Sequence, residues 1–348
     1  MGSAASTPST GTMRAATRGG KLPDGTQKIA FSQTHPMPKD PKPDSNEVFI
    51  RVKAAAINPV DYKMPAMMVG PVVGFDVAGV VEKAGDKSSF KVGDEVFGGA
   101  SGSVAEFTTS KSSKLAKKPA NVSFAQAAAL PVAYLTALQG VRDYGKIVEN
   151  KNNKKILILG ASGGCGLACT QLAKKAFNTT EVVGVCSDKN VDTVKQNGAD
   201  RVINYKTEKI EEVFGTLPDA EKFDIVFDAA TNSGAGENYK ASALKCLRKE
   251  KVASNENSIP GQYVAINGAG GMWLRLFSGV GQKKNEHLFM TSTKSADLEE
   301  LGKYCVEGTV NPVFATAEPF KFGEEGCAKA YELLKSRRAV GKVVISME

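Results

Sequence analysis

Histidine is nearly absent from this chain: His35 and His287 are the only two in 348 residues. No cysteine or carboxylate is spaced around either as metal ligands are, so the sequence offers no histidine-based ligand set for a catalytic metal. The six cysteines (Cys165, Cys169, Cys186, Cys246, Cys305 and Cys327) lie mainly in apolar or helical segments. Their spacing forms no disulfide framework, which points to a reducing compartment rather than secretion. No apolar run reaches transmembrane length. Long basic tracts are missing too, because Lys117-Lys118, Lys151 to Lys155 and Lys283-Lys284 are short and not interleaved with aromatics. The net charge of +8 therefore reads as a thinly spread solvated surface. That excludes a nucleic-acid partner and leaves a peripheral contact with an anionic membrane compatible.

What is present is ordinary for a soluble globular protein, with 42% hydrophobic and 24% charged residues. The length predicts two domains. The first twelve residues, rich in Ser, Thr and Ala, read as a disordered tail.

The most informative stretch joins the apolar run Ile156 to Leu159, the turn Gly160-Ala161-Ser162-Gly163-Gly164-Cys165-Gly166 and the apolar segment Leu167 to Ala176. This reads as strand, tight turn and helix. The glycines allow a sharp turn and close approach of backbone to a pyrophosphate, and the helix N-terminus offers N–H groups and a positive dipole end. The fingerprint is Ala161-x-Gly163-x-x-Gly166, with alanine in place of its first glycine. Further strands are predicted at Glu181 to Cys186, Arg201 to Asn204, Phe223 to Ala229, Gln262 to Asn267 and Phe289 to Thr291. Helices at Val191 to Asn197 and Tyr239 to Leu247 alternate with them. Such alternation predicts an α/β fold with a doubly wound parallel sheet, its ligand at the carboxyl ends of the strands.

The end of the second strand bears on which dinucleotide binds. NAD-selective folds place a carboxylate there, whereas this strand ends Val185-Cys186-Ser187 and continues Asp188-Lys189-Asn190. A hydroxyl and an ammonium suit a 2′-phosphate, which favours NADPH, while Asp188 is expected beyond the strand tip.

Before this region the chain reads as short strands and turns: Val48 to Ala56, the loop Ile57-Asn58-Pro59-Val60-Asp61-Tyr62-Lys63, Gly74 to Val81, Val92 to Gly98 and Gly102 to Phe107. A helix from Ser123 is broken by Pro131, and near the end helix Glu324 to Lys335 leads into strand Gly341 to Ser346. The phrases Asn58-Pro59-Val60-Asp61, Gly74-Phe75-Asp76, Leu130-Pro131, Gly160 to Gly166 and Gly341-Lys342-Val343, in that order, resemble the medium-chain dehydrogenase/reductase superfamily. Within it they are most similar to the zinc-free quinone oxidoreductase and enone reductase branch, including plant chloroplast-envelope and alkenal-reducing members. The resemblance implies a GroES-like β-rich substrate domain over residues 13–129 with 294–348, a Rossmann domain over 130–293 and a cleft between them. It also implies a homodimer. Where the zinc-dependent branch carries Cys and Gly-His-Glu, this chain has Asn58 and Gly74-Phe75-Asp76, so no metal is expected.

Without a Lewis acid, hydride transfer favours an acceptor that is already electrophilic, a quinone or an α,β-unsaturated carbonyl. Asn58, Tyr62 and Lys63 are the candidates to stabilise charge developing on its oxygen, and Tyr62 and Lys63 also to deliver a proton. The resemblance places Lys63 against cofactor and substrate. Their plainer alternatives are a turn cap for Asn58 and solvation for Lys63. On the cofactor side the resemblance brings Thr136 to the nicotinamide amide and Tyr205 to the 2′-phosphate. Ser162, Gly163, Gly164 and Cys165 are expected on the pyrophosphate, and Ser187, Lys189 and Asn190 on the 2′-phosphate. Cys165 stands where valine is commonest; near a helix N-terminus it is either an oxidisable thiol or a small packing residue. Two other functions remain open, a non-enzymatic scaffold or regulatory protein of this fold and an enoyl-thioester reductase. The expected setting is the cytoplasm or the surface or interior of a chloroplast or mitochondrion.

Overall fold

The computed structural model describes residues 11–23, 25–64, 66–147, 154–232, 238–249, 259–267 and 283–348. The expected tail up to residue 10 and the lysine cluster from 151 to 153 lie outside these residues. The chain opens with an antiparallel hairpin of β1 (Thr12–Lys21) and β2 (Gln27–Pro36), so β1 begins at the last residue read as tail. β3 (Glu47–Ile57) runs into the short helices α1 (Pro59–Lys63) and α2 (Ala66–Val69). β4 (Asp76–Ala84), β5 (Glu95–Gly99), β6 (Phe107–Lys111) and β7 (Leu115–Lys117) follow. α3 (Phe124–Ala129) starts on a capping box in which Ser123 Oγ accepts from the Gln126 N–H and Gln126 Oε1 accepts from the Ser123 N–H. Pro131 opens a new helix, α4 (Pro131–Gln139), because proline is tolerated only in a first turn.

β8 (Lys155–Leu159) and α5 (Gly164–Gln171) flank the glycine turn. β9 (Glu181–Cys186), α6 (Val191–Gln196), β10 (Arg201–Asn204), α7 (Ile210–Val213), β11 (Ile225–Asp228), α8 (Lys240–Cys246), β12 (Gln262–Ala265) and β13 (Glu286–Leu288) continue the alternation. α9 (Ser295–Val306), β14 (Phe320–Lys321), α10 (Glu324–Lys335) and β15 (Val343–Ser346) end it.

Two compact units result. One takes the chain up to Val132 together with Thr293–Val306 and Phe314–Glu348. Its main sheet has the order β14-β15-β3-β4-β5-β7, with β6 paired to β3. Ile50, Val77, Val96, Leu115 and Ile345 lie in its buried core. The other takes Ala133–Ser292 and Glu307–Val313. Its sheet has the order β10-β9-β8-β11-β12-β13 with every pair parallel. That is the doubly wound order, reversing between β8 and β11, where Leu159 stands beside Asp228. A GroES-like β-rich unit and a Rossmann unit are therefore both present.

Two local expectations are corrected. The sixth strand is Glu286–Leu288 rather than Phe289 to Thr291. It borders only β12, so Glu286 and His287 tolerate it as polar residues and the apolar run marks the loop beyond. On β13, His287 Nε2 is bonded to Gln262 Oε1 at 2.9 Å. The stretch from Gly102 contributes a strand only from Phe107 onward.

Candidate functional site

In the β-rich unit the register of three neighbouring strands brings the substrate-side candidates to one sheet end. Val343 of β15 stands opposite Ile57 of β3, and Ala56 of β3 opposite Asp76 of β4. The adjoining residues Asn58 and Lys342 are thereby carried to the same end of the sheet as Asp76. Asn58 Nδ2 donates to Asp76 Oδ2 at 2.8 Å, and Lys342 Nζ donates to Asn58 Oδ1 at 2.6 Å and to Asp76 Oδ2 at 2.9 Å. The other oxygen, Asp76 Oδ1, accepts from the Val132 N–H at 2.8 Å. Asn58 is 5% exposed and Asp76 and Lys342 are also buried, so this is an ion pair completed by an amide in a dry environment.

A second buried carboxylate lies beside it. Asp61 Oδ2 accepts from the Asn58 N–H at 2.7 Å and Asp61 Oδ1 from the Gly74 N–H at 3.0 Å. Burial and the negative charge of Asp76 push the Asp61 carboxyl up, while the two N–H groups and Arg18 pull it down, leaving it at about 7. Tyr62, at 6% exposed, joins the apolar core with Ala16, Val73 and Tyr331. Lys63, closing α1, is exposed. Of the three substrate-side candidates, then, the fold buries Asn58 in a polar network, packs Tyr62 and leaves Lys63 at the surface.

The Rossmann unit holds the other residues. After β8, Gly160 takes a positive φ of 74°, and a Cβ on Gly166 would lie 2.2 Å from the Gly160 carbonyl oxygen. The turn and the first turn of α5 pack with no room for a side chain there. Gly163 caps α5 and a Cβ on it would meet nothing nearer than Gly160 O at 3.6 Å. Ser162, Gly163, Gly164 and Cys165 are all half-exposed at this helix start. Asn190 Nδ2 donates to Ser162 Oγ at 3.1 Å and to Ser187 Oγ at 3.4 Å, joining the turn to the end of β9. The Tyr205 N–H donates to Cys186 O at 3.2 Å, which sets Tyr205, 49% exposed, at the same strand ends. Lys189 is exposed on the turn Asp188–Asn190. The carboxylate of Asp188 is engaged by Lys206 at 2.8 Å. Thr136 is buried on α4, its hydroxyl 2.5 Å from that of Thr291.

Asp228 was not among the expected residues. It is fully buried at the end of β11 and accepts from the Ala230 and Thr231 N–H groups, the Thr231 hydroxyl at 2.6 Å and the Tyr263 hydroxyl at 2.6 Å. A Cβ on Gly160 would come within 3.5 Å of Ala229 and Ala230, so Asp228 shapes the loop that borders the glycine turn. The signal available for Asp76, Lys342 and Asp228 was a charge at the edge of an apolar run, which demands a partner when buried.

Two family models match the chain: an alcohol dehydrogenase GroES-like domain over residues 44–139 and a zinc-binding dehydrogenase over 197–345. A 2-methylene-furan-3-one reductase of Solanum lycopersicum is 34% identical over 86% of this chain and 71% of its own. An NADPH-dependent alkenal/one oxidoreductase, chloroplastic, of Arabidopsis thaliana is 34% identical over 88% and 73%. A chloroplast envelope quinone oxidoreductase homolog of the same plant is 31% identical over 88% and 91%. The quinone oxidoreductase structure from Coxiella burnetii shares the fold, with a TM-score of 0.75 at 24% identity over 97% of this chain and 99% of that one.

The donor set does not fit a zinc ion. Asn58 and Phe75 offer no thiolate or imidazole, and the one carboxylate, Asp76, is already neutralised by the Lys342 ammonium. Among the described residues no group of three or more His, Cys, Asp or Glu side chains could hold a metal.

Removing one partner of a dry ion pair leaves the other charge stranded, so Lys342→Met should cost about 3–5 kcal/mol in urea unfolding, with part of the loss recovered by adding Asp76→Asn. Gly166→Ala should cost about 1–3 kcal/mol by overpacking. A stability equal to wild type would show that the turn relaxes.

Proposed function

From the membership of this chain in the medium-chain dehydrogenase/reductase superfamily, quinone oxidoreductase branch, we propose that it is an NADPH-dependent reductase of α,β-unsaturated carbonyls and quinones. The observation that carries this reading is the Lys342 ammonium held between Asn58 and Asp76. With that cation in place and no zinc donors, charge on a substrate oxygen has to be met by organic hydrogen-bond donors. That favours an acceptor that is already electrophilic, a quinone or an α,β-unsaturated carbonyl.

The residues of the Rossmann unit fit NADPH. Ser162, Gly163, Gly164 and Cys165 would hold the pyrophosphate at the start of α5. Ser187, Lys189, Asn190 and Tyr205 would hold the 2′-phosphate, and the engagement of Asp188 by Lys206 removes the carboxylate that would repel it. Thr136 would face the nicotinamide amide. When bound, NADPH supplies the hydride.

Lys63 has the central substrate-side role. Its ammonium donates a hydrogen bond to the carbonyl oxygen as negative charge develops there, and supplies the proton that the enolate or hydroquinone anion takes up. Asn58 acts through the backbone, since its amide group is engaged by Asp76 and Lys342 and its N–H by Asp61. Tyr62 is a packing residue. Met67 and Met68, strongly exposed on α2 just after Lys63, offer an apolar surface to the hydrocarbon part of a substrate.

The expected homodimer is supported by the position of β13 at the end of its sheet with Met290 exposed beside it, an edge that a second copy can extend. No helix among the described residues is long and apolar enough to cross a membrane. Chloroplastic and mitochondrial relatives support an organellar setting.

Oxidation of NADPH with 9,10-phenanthrenequinone and with a short alkenal tests the reading. Turnover with NADPH preferred over NADH is expected, and the better acceptor decides between the two substrate classes. Binding of neither nucleotide would assign the chain to a scaffold role instead. Lys63→Met should lower kcat/KM by about 100-fold. Lys189→Ala should raise KM for NADPH about tenfold with NADH unchanged; an equal effect on both would remove Lys189 from the 2′-phosphate.

A further inference from the structure

Arg18 of β1 is a buried guanidinium, 9% exposed, in the same unit as the paired Lys342. Its Nη1 donates to Gly70 O at 2.8 Å and Val72 O at 2.6 Å. Its Nε and Nη2 make no hydrogen bond among the described residues, and neither do Ser103 Oγ and Tyr331 Oη nearby. Arg18 and Tyr331 both interact electrostatically with Asp61. Asp61 in turn grips Asn58 and Gly74, the residues that bracket the segment carrying Lys63.

We propose that Asp61 and Arg18 are positioning residues of the substrate loop: the carboxylate clamps Asn58 to Gly74 while the guanidinium fastens Gly70 and Val72, so Lys63 is held between two fixed ends. This rests on the reading of Lys63 given above. The clamp depends on charge. An ionised Asp61 accepts from both N–H groups, whereas a protonated one turns an oxygen into a donor and faces one N–H with an O–H. The groups bearing on that ionisation are Arg18 from β1, Asp76 at the start of β4, Tyr331 from α10 and the Asn58 and Gly74 N–H groups. Burial and Asp76 hold the proton on; Arg18 and the N–H groups help it off, leaving the carboxyl at about 7.

The sign for stability follows. Below about pH 7 the folded state keeps a proton that an unfolded aspartate releases near pH 4, so Asp61 makes stability fall as pH rises between those values. The ionised clamp is therefore held against a cost.

The test is the pH profile of kcat/KM for the reduction of an alkenal by NADPH. The wild type should lose activity below a midpoint at about pH 7. Arg18→Met, which removes the favourable charge, should move that midpoint to higher pH. Arg18→Lys, the variant that keeps the charge, should return the midpoint toward wild type. Asp61→Asn should abolish the limb and flatten the fall of the urea midpoint with pH. The same midpoint in wild type and Arg18→Met, or a limb persisting in Asp61→Asn, would overturn the proposal. If Lys63→Met retains full activity, the reading of Lys63 fails first, and the clamp is then judged on the loop alone. Lys63 labelled by reductive ¹³C-methylation should show a resonance step at about pH 7 that is missing in Asp61→Asn. A resonance indifferent to pH in both proteins would sink the clamp.

Discussion

The buried ion pair of Lys342 and Asp76, closed by the amide of Asn58, is the constraint on which the substrate side of this protein depends. Four segments far apart in the chain meet there: the end of β3, the start of β4, the residue before β15 and the first turn of α4. An ion pair this dry gains little over apolar packing, because desolvation offsets most of the Coulombic attraction. What it supplies is specification. The pair is satisfied only if β15, β3 and β4 lie in their observed register, since a slip by one residue would turn a charge into the apolar core.

The cofactor side follows a different logic. Its key groups are mostly backbone, set by the reversal of strand order between β8 and β11 and by Gly166, which leaves space for no side chain. Asp228, buried at the switch point, accepts four hydrogen bonds. It spends its capacity on the loop next to the glycine turn rather than on a ligand. Rigid support beneath a half-exposed polar rim of Ser162, Ser187 and Asn190 is the arrangement that binding of a fixed anionic ligand calls for.

The Rossmann unit was legible because its signals are local. The apolar runs from Ile156, Glu181 and Arg201 coincide with β8, β9 and β10 to within a residue, and the glycine spacing marks the turn between β8 and α5. β13 was misplaced because an edge strand buries one side only, so Glu286 and His287 concealed it. The substrate side was legible as phrases but not as contacts. Asn58, Asp61, Asp76 and Lys342 all stood in recognised motifs, yet which of them pair depends on strand order, a non-local property. The loop therefore read as three donors, where burial separates a networked Asn58 and a packed Tyr62 from an exposed Lys63.

Two carboxylates in one small region have been given opposite characters by their surroundings. Asp76 has the Lys342 ammonium against it at 2.9 Å and is spent on that ion pair. Asp61 has Arg18 within electrostatic range but no hydrogen-bonded cation, and burial together with the charge of Asp76 lifts its carboxyl to about 7. Had Lys342 been placed between both, each would be an inert anchor. Placing it against one alone leaves the other poised where a proton is gained or lost near neutrality, directly under the loop that carries Lys63. The asymmetry lowers stability as pH rises from about 4 to about 7, the cost at which the positioning role proposed for Asp61 would be maintained.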